Sequence, residues 1–461
     1  MEPKKLTLQS LPVQIALAIG AIIVLILIAS SLSAQMMTKP EDRTIDKKTQ
    51  AEIIDSVSFA LNEVYVFPDV AKEMEKHIRK NYKKGEYDTF TSLMKFLFTL
   101  TEDLREISHD KHLAVRPMAD DGYQPYLSDT LPEEQEKRRC AENAYNNYGY
   151  QKIERLAGNV GYLDLRGFYD AEYAGPTAVA AMNYLANSSA LIIDLRENGG
   201  GSPSMIQLMS SYFMDSLTHL NSFYVRKGDT TQQFYTLPYV PGKKMYDMPI
   251  FILTSSYTFS AAEEFTYNLK NLNRATIIGE TTGGGAHPVD GRFFPNLHVA
   301  LKLPFGRAVN PITGTNWEGT GIEPHISVPA DQALERAHLE ALKTIKEKGV
   351  IEYGEGQIDW AMKYLNAKTN PFEIDEATLK TYVGVYGPRN ILFEDGVLIY
   401  QRTDRPKFKM IPIEKDLFMF DELDYFMLQV DRDDSGKIIG LIGLYNDGYT
   451  DYSPIGPEEK K

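Results

Sequence analysis

Cysteine is nearly absent from this sequence, since Cys140 is the only one in 461 residues. A single cysteine cannot form an intramolecular disulfide, so neither the fold nor its export can depend on one. Long runs of lysine and arginine are also missing, and the formal net charge is −14 with a pI near 5.2. Because phosphate binding requires a basic face, this charge balance excludes a nucleic-acid partner.

Long apolar runs are missing after residue 34. Before it, Lys4 and Lys5 precede an apolar run over residues 15–28 and a small-residue segment that ends before Gln35. This order is typical of a secretory signal peptide. The alternative is an uncleaved membrane anchor, but the apolar run is shorter than the ~20 residues that a spanning helix needs. We expect cleavage near Gln35 and a periplasmic or secreted protein without a lasting membrane anchor.

The rest of the chain has a globular composition, with 43% hydrophobic and 24% charged residues. Helical spacing of apolar residues, then strands alternating with helices, then turn-separated strands predict three successive folding patterns. The fold class is α/β with a mainly parallel sheet, a helical domain before it and a small antiparallel β-domain after it. The expected boundaries are 1–34 for the signal peptide, 45–117 for the helical domain, 118–158 for a connector, 159–332 for the core, 333–371 for a helical linker and 372–461 for the β-domain.

Ser260 lies where a buried strand over residues 250–253 gives way to a helix. With Glu263 it forms an S-x-x-E capping box, which places Ser260 at free backbone N–H groups and the positive end of a helix dipole. This environment favours a developing negative charge. It is equally the environment of an inert N-cap serine, so Ser260 needs support from other segments.

Three further segments carry candidate residues, each with an ordinary alternative. Asp194-Leu-Arg-Glu-Asn-Gly-Gly-Gly201 follows a strand and offers exposed N–H groups, or is simply a turn; it has no phosphate-loop spacing. His112 follows Ser108, His109 and Asp110, where an exposed loop histidine is also expected. Glu318 stands in a Gly-rich turn, where a solvated carboxylate is the alternative.

Taken together and in order, these segments resemble the tail-specific, or C-terminal-processing, serine protease family. The resemblance rests on Asp194-Leu-Arg-x-Asn-x-Gly-Gly, Ser260-Ala-Ala-Glu, Gly279-Glu-Thr-Thr-Gly-Gly and Glu318-Gly-x-Gly-Ile-Glu-Pro, and covers roughly residues 53–330. It implies a crotonase-like core of ββα units. It also implies that Ser260 is the nucleophile, with an oxyanion hole formed by the N–H of Ala261 and that of Gly199 or Gly200.

The sequence departs from the family pattern where Ser-Lys members place a lysine base, because that position is Gly285 here. It resembles instead the branch of the tricorn core and the interphotoreceptor retinoid-binding protein repeats. That resemblance implies His112 as the base and Glu318 as the acid, although Lys111 occupies the place of the relay serine. About forty residues separate the helical domain from the core, too few for a PDZ domain of about ninety.

These features predict an exported serine peptidase that acts on peptide or protein substrates and requires no metal or cofactor. The alternative is a catalytically silent ligand-binding protein on the same fold. Retention of Ser260, His112, Glu318 and both oxyanion segments favours the enzyme.

Overall fold

The computed structural model describes residues 42–118, 133–349, 354–369 and 372–457. The expected signal peptide and its cleavage site near Gln35 lie outside these residues. The chain forms two compact units, the first comprising Met1–Pro132 and Val289–Phe305 and the second Glu133–Pro288 and Gly306–Lys461. Across the described ranges, no helix combines the length and apolarity needed to cross a membrane.

The described α-helices are α1 (Lys47–Val64), α2 (Pro68–Lys84), α3 (Leu93–Ser108), α4 (Glu133–Tyr145), α5 (Ala171–Leu185), α6 (Pro203–Ser211), α7 (Ala261–Asn271), α8 (Ala333–Glu347), α9 (Glu355–Thr369) and α10 (Glu376–Thr381). The strands before residue 330 are β1 (Ala114–Pro117), β2 (Tyr150–Leu156), β3 (Val160–Leu165), β4 (Ala190–Asp194), β5 (His219–Val225), β6 (Thr230–Tyr235), β7 (Ile250–Thr254), β8 (Ala275–Gly279), β9 (Val289–Phe294), β10 (Val299–Pro304), β11 (Gly306–Val309) and β12 (Ile326–Ser327). Those after it are β13 (Gly384–Gly387), β14 (Arg389–Glu394), β15 (Val397–Arg402), β16 (Lys407–Lys409), β17 (Ile411–Glu414), β18 (Leu417–Met419), β19 (Phe426–Arg432), β20 (Ile438–Tyr445), β21 (Thr450–Pro454) and β22 (Gly456–Pro457).

The first unit packs α1, α2 and α3 beside a three-stranded antiparallel sheet of order β1-β10-β9. The amphipathic helices predicted from the sequence are present, and their apolar faces are buried. Thr101 of α3 joins helix to sheet, because its hydroxyl contacts the Val115 carbonyl at 3.1 Å and accepts from the Val115 N–H at 2.9 Å. The segment between α3 and β1, which carries His112, is therefore held at both ends.

The second unit is built on a six-stranded sheet of order β12-β8-β7-β4-β3-β2. Neighbours from β12 to β3 pair in parallel, and β2 adds an antiparallel edge. All residues of β4 and β7 are buried, as expected for parallel strands covered on both faces. Helices α5, α6 and α7 contribute to the core on one face, and α8 and α9 to the core on the other. The order of layers confirms the predicted α/β core.

Three elements of the second unit were not expected from the sequence. Strand β2 falls in the predicted connector but pairs with β3, so the sheet begins before residue 159. Strands β5 and β6 form a separate antiparallel sheet with β11. The expected helical linker is part of the core, because its first helix, α8, packs on the sheet with Ala337, Ala341 and Leu342 buried.

The C-terminal β-domain consists of two five-stranded sheets, of order β16-β15-β14-β13-β22 and β17-β18-β19-β20-β21. Its core is aromatic-rich, and Nη2 of the buried Arg389 donates to both carboxylate oxygens of Asp451, at 2.6 and 2.8 Å. Helix α9 packs against this domain through Trp360, Tyr364 and Ala367. The predicted antiparallel domain is confirmed except at its edge, where β22 pairs with β13 in parallel. Helix α9 contributes to its packing as well as to the core of the parallel sheet.

Candidate active site

Ser260 lies in a sharp turn between β7 and α7. Its backbone has φ 56° and ψ −121°, a conformation that residues other than glycine rarely adopt. Holding such a residue there costs about 1–3 kcal/mol, and strain of this kind is concentrated at functional positions. The turn is fixed by the Thr258 hydroxyl, which donates to the Leu195 carbonyl at 2.8 Å, and by the Phe259 N–H, which donates to the Asn198 carbonyl at 3.1 Å.

The glycine segment after β4 packs directly against this turn. A Cβ on Gly200 would stand 2.8 Å from the Ser260 Cβ and 3.0 Å from the Ala261 nitrogen. Gly200 also has φ +115°, so a side chain there is excluded by both space and backbone conformation. The Ala261 N–H is one of the amides at the start of α7 that no preceding helical carbonyl can satisfy. Backbone amides from two segments therefore lie beside the candidate nucleophile.

Asn198 connects these two segments. It is completely buried, its Nδ2 donates to the Leu165 carbonyl at 2.8 Å, and its Oδ1 accepts from the Gly200 N–H at 2.9 Å. Its own carbonyl accepts the Phe259 N–H. The Gly200 amide is thus already engaged, which favours Gly199 as the glycine whose N–H can face a substrate.

Glu263 holds a second glycine segment, residues 283–285, against the turn that carries Ser260. The residue stands in a capping-box arrangement with Ser260, whose N–H donates to Glu263 Oε2 at 2.9 Å. The same carboxylate accepts the N–H groups of Gly284 and Gly285 at 2.7 and 2.8 Å, and the Thr282 hydroxyl. Burial raises the pKa of this carboxyl, and the four donors oppose that rise.

Glu318 receives the next two amides of the same segment. Its Oε2 accepts the N–H of Ala286 at 2.5 Å and that of His287 at 3.2 Å. The Nδ1 of the His287 ring lies 3.5 Å from the same oxygen, and both side chains are largely buried. Four consecutive amides, of residues 284 to 287, therefore bind two carboxylates in turn and link Ser260 to Glu318 by hydrogen bonds.

The segment that carries Glu318 is itself clamped to the glycine segment. The Trp317 indole N–H donates to the Gly285 carbonyl at 2.9 Å, and the Gly319 N–H donates to the Gly284 carbonyl at 3.1 Å. Because these two bonds lie on either side of Glu318 in the chain, they fix the backbone from which its side chain extends. The predicted turn carboxylate is a fixed, mostly buried group rather than a solvated one.

His112 lies in the first unit, whereas the other predicted site residues lie in the second: Ser260, Gly199, Gly200, Ala261 and Glu318. His112 is only 2% exposed, so it is not a loop histidine open to solvent. Its N–H donates to Asp110 Oδ1 at 3.0 Å, and Arg105 donates to the carbonyls of Lys111 and Leu113 at 2.8 Å each. The position of His112 within its own unit is therefore well defined, and its pairing with Ser260 stays a prediction.

The two lysines nearest the predicted site residues in sequence, Lys111 and Lys270, do not have the environment of a lysine base. Lys111 is exposed while His112 is buried, and both lie in the turn that precedes β1. Lys270, in the last turn of α7, donates to the Glu323 carbonyl. Neither environment desolvates an amine in the way that a lysine base requires.

Asp194 and Arg196, the first part of the glycine motif, serve the fold. Asp194 accepts the Tyr162 hydroxyl at 2.8 Å and pairs with Arg196, which also donates to the Ala330 carbonyl.

In the first unit, His77, Asp103 and Glu106 have side-chain atoms within 4.8 Å of one another. Asp103 already accepts from Asn81 and Tyr87, so this cluster is explained as helix-to-helix hydrogen bonding.

Sequence reasoning did not single out Asn198 or His287. Asn198 stood inside the glycine motif, and its place between two predicted site segments was the available signal. His287 stood in the segment that replaces the lysine base, but its contact with Glu318 joins residues 31 positions apart in the chain and follows no local pattern. Both residues lie close in sequence to predicted site residues, but their hydrogen-bond partners are determined by the tertiary fold.

Comparison with known proteins identifies a family for two regions of the chain. Residues 159–328 match the family described as peptidase family S41, and residues 45–147 match the N-terminal domain described for peptidase S41 in eukaryotic IRBP. The tricorn protease of Thermoplasma volcanium is 27% identical over 228 residues, which is 48% of this chain and 20% of that protein. The tail-specific protease of Haemophilus influenzae is 27% identical over 162 residues, 33% of this chain and 22% of that protein.

The chain thus spans about a fifth of the length of these two relatives. Among solved structures, the photosystem II D1 C-terminal processing protease is 14% identical, with 61% of this chain and 94% of that chain covered and a TM-score of 0.38, which is too remote to bear on activity. The matched regions contain every predicted site residue, from His112 in the N-terminal domain to Ser260 and Glu318 in the core. This chain belongs to peptidase family S41, with the N-terminal domain that the family has in IRBP.

Proposed function

We propose that this chain is an exported serine peptidase that hydrolyses peptide bonds through an acyl-enzyme on Ser260. The observation that carries the proposal is the strained backbone of Ser260 at the start of a helix, with Gly200 packed against its Cβ. An inert N-cap serine needs neither the positive φ nor the adjacent glycine segment, because an ordinary N-cap has an extended backbone. Membership of family S41 supports the same reaction.

In the proposed reaction, the Ser260 hydroxyl oxygen attacks the carbonyl carbon of the scissile bond while its proton passes to a histidine. The N–H groups of Ala261 and Gly199 stabilise the negative charge that develops on the carbonyl oxygen. The histidine then protonates the leaving amine as the carbon–nitrogen bond breaks. Water hydrolyses the remaining ester, and the serine recovers its proton.

We assign the base to His112 and the orienting carboxylate to Glu318. The burial of His112 and the bond from its backbone to Asp110 support a fixed imidazole. Glu318 is held by two amides, which suits a group that orients a partner rather than one that moves with solvent. The exposed side chain of Lys111 argues against a Ser-Lys mechanism.

A fluorophosphonate probe tests this proposal on the mature protein beginning at Gln35. We expect stoichiometric labelling that Ser260→Ala abolishes and that Ser256→Ala, in the same turn but exposed, retains. His112→Ala should slow labelling and peptide-ester hydrolysis by about 10²–10⁴-fold, while Lys111→Ala keeps most of both. Full labelling of Ser260→Ala would instead support the alternative, a silent ligand-binding protein on this fold.

Export to the periplasm or the cell exterior is part of the proposal and rests on the sequence of residues 1–34. N-terminal sequencing of the protein from its host should find Gln35 or a neighbour. An intact Met1 on a membrane-bound product would overturn the export and leave the chemistry of Ser260 unaffected.

A further inference from the structure

His287 is a buried histidine to which the proposed reaction gives no role. Its ring Nδ1 and its own backbone N–H both lie against Oε2 of Glu318, at 3.5 and 3.2 Å. The N–H of Ala286 donates to the same oxygen at 2.5 Å. One oxygen of the carboxylate therefore has three nitrogen neighbours from a single segment of chain.

We propose that His287 is a positioning residue, whose ring N–H fixes the carboxylate of Glu318 so that it can orient the catalytic histidine. This inference rests on the proposed function and deepens it. A carboxylate that orients a base must keep one direction through the reaction, because a misplacement of about 1 Å can cost about 10²-fold in rate. Two backbone donors on Oε2, with the ring nitrogen of His287 beside them, restrain rotation of this carboxylate.

The ring contact is longer than an ideal hydrogen bond, as is common for catalytic contacts before substrate binds. The backbone around it is already fixed. Gly284 and Gly285 are held by Glu263, while the residues on either side of Glu318 are held by the glycine segment. A small movement of the His287 ring is then enough to form the bond, since both backbones that carry the partners are in place.

The segment that carries His287 stands where Ser-Lys relatives would place their base. In this chain its amides and its one ring bind carboxylates instead. The relay position beside His112 is occupied by Lys111, which is exposed whereas His112 is buried. We infer that the donor that steadies Glu318 comes from the second unit, through His287, rather than from the segment beside His112.

The test compares His287→Asn with His287→Gln and His287→Leu in the mature protein. The Asn amide nitrogen occupies nearly the place of Nδ1, whereas the Gln amide nitrogen occupies nearly that of Nε2. We expect Gln and Leu to lower kcat for a peptide ester by about 10–100-fold with little change in KM, and Asn to recover most of the loss. His338→Asn is the control, because that buried histidine contacts the Ala157 carbonyl at 2.8 Å in another part of the core.

Each outcome decides one of the two proposals. If Ser260→Ala is inactive while folded His287→Leu keeps the wild-type kcat, the positioning role is wrong and the proposed function stands. Equal losses in the Asn and Gln variants, with circular dichroism unchanged, would also refute an Nδ1 donor. If His112→Ala stays active and all His287 variants are dead, His287 is the base itself and both assignments fail.

Discussion

Replacing Ser260 with glycine should abolish activity and yet stabilise the second unit relative to Ser260→Ala. The wild-type residue has φ 56° and ψ −121°, and releasing such strain is worth about 1–3 kcal/mol. Glycine costs about 0.5–1 kcal/mol in additional chain entropy on folding. The net gain expected for glycine over alanine is therefore about 1 kcal/mol, because both variants lack the hydroxyl and only alanine keeps the strained Cβ.

The measurement is urea unfolding of the two variants, followed by tryptophan fluorescence. Trp317 is a suitable reporter, since it is 2% exposed and its indole donates to the glycine segment beside Ser260. Loss of fluorophosphonate labelling in both variants shows that the comparison concerns strain and not residual chemistry. A glycine variant that unfolds at the same or a lower urea concentration than the alanine variant would refute the strain argument.

Two further perturbations follow from the same region. Burial raises the pKa of Glu264 from 4.5 to about 7, and the side chain of Asn221 beside it partly opposes that rise. Because the folded-state pKa is raised, the contribution of Glu264 to stability is full below pH 4.5 and is lost, by about 3 kcal/mol, as pH rises to about 7. Glu264→Gln should remove this contribution to the slope of stability against pH in urea unfolding between about pH 5 and 8, and an unchanged slope would contradict it. Gly200→Ala should lower kcat by at least about 10-fold in ester hydrolysis, since the new Cβ would stand 2.8 Å from the Ser260 Cβ. Gly396→Ala in the β-domain is the control and should leave kcat unchanged. A normal kcat in Gly200→Ala would show that the glycine segment does not line the site.

The sequence predicted the elements that local rules determine. The β7 strand is a continuous apolar run, and Ser260 with Glu263 marks the start of the following helix; both are where they were expected. Strand β2 was missed because it is an edge strand with one buried residue in seven, so it lacks the apolar run that marks its neighbours.

The arrangement of the site depends on contacts that no local rule contains. Glu263 was expected to cap its own helix, and the structure adds the amides of Gly284 and Gly285 from beyond the next strand. The contact between His287 and Glu318 likewise joins two loops. Spacing within the chain can predict that a carboxylate stands at a helix start, but which distant amides bind it is decided by how the strands are ordered.

The hairpin of β9 and β10 has a consequence for the newly made chain. It belongs to the first unit, where Ala114 of β1 pairs with Lys302 of β10, although it is encoded within the sequence of the second. A chain that emerges from its N-terminus cannot complete the sheet next to His112 until residue 304 has followed. Pairing between such distant segments is slow to form. Under the proposed mechanism, Ser260 is made before the sheet beside His112 can be completed, so activity is expected only after β10 has been made.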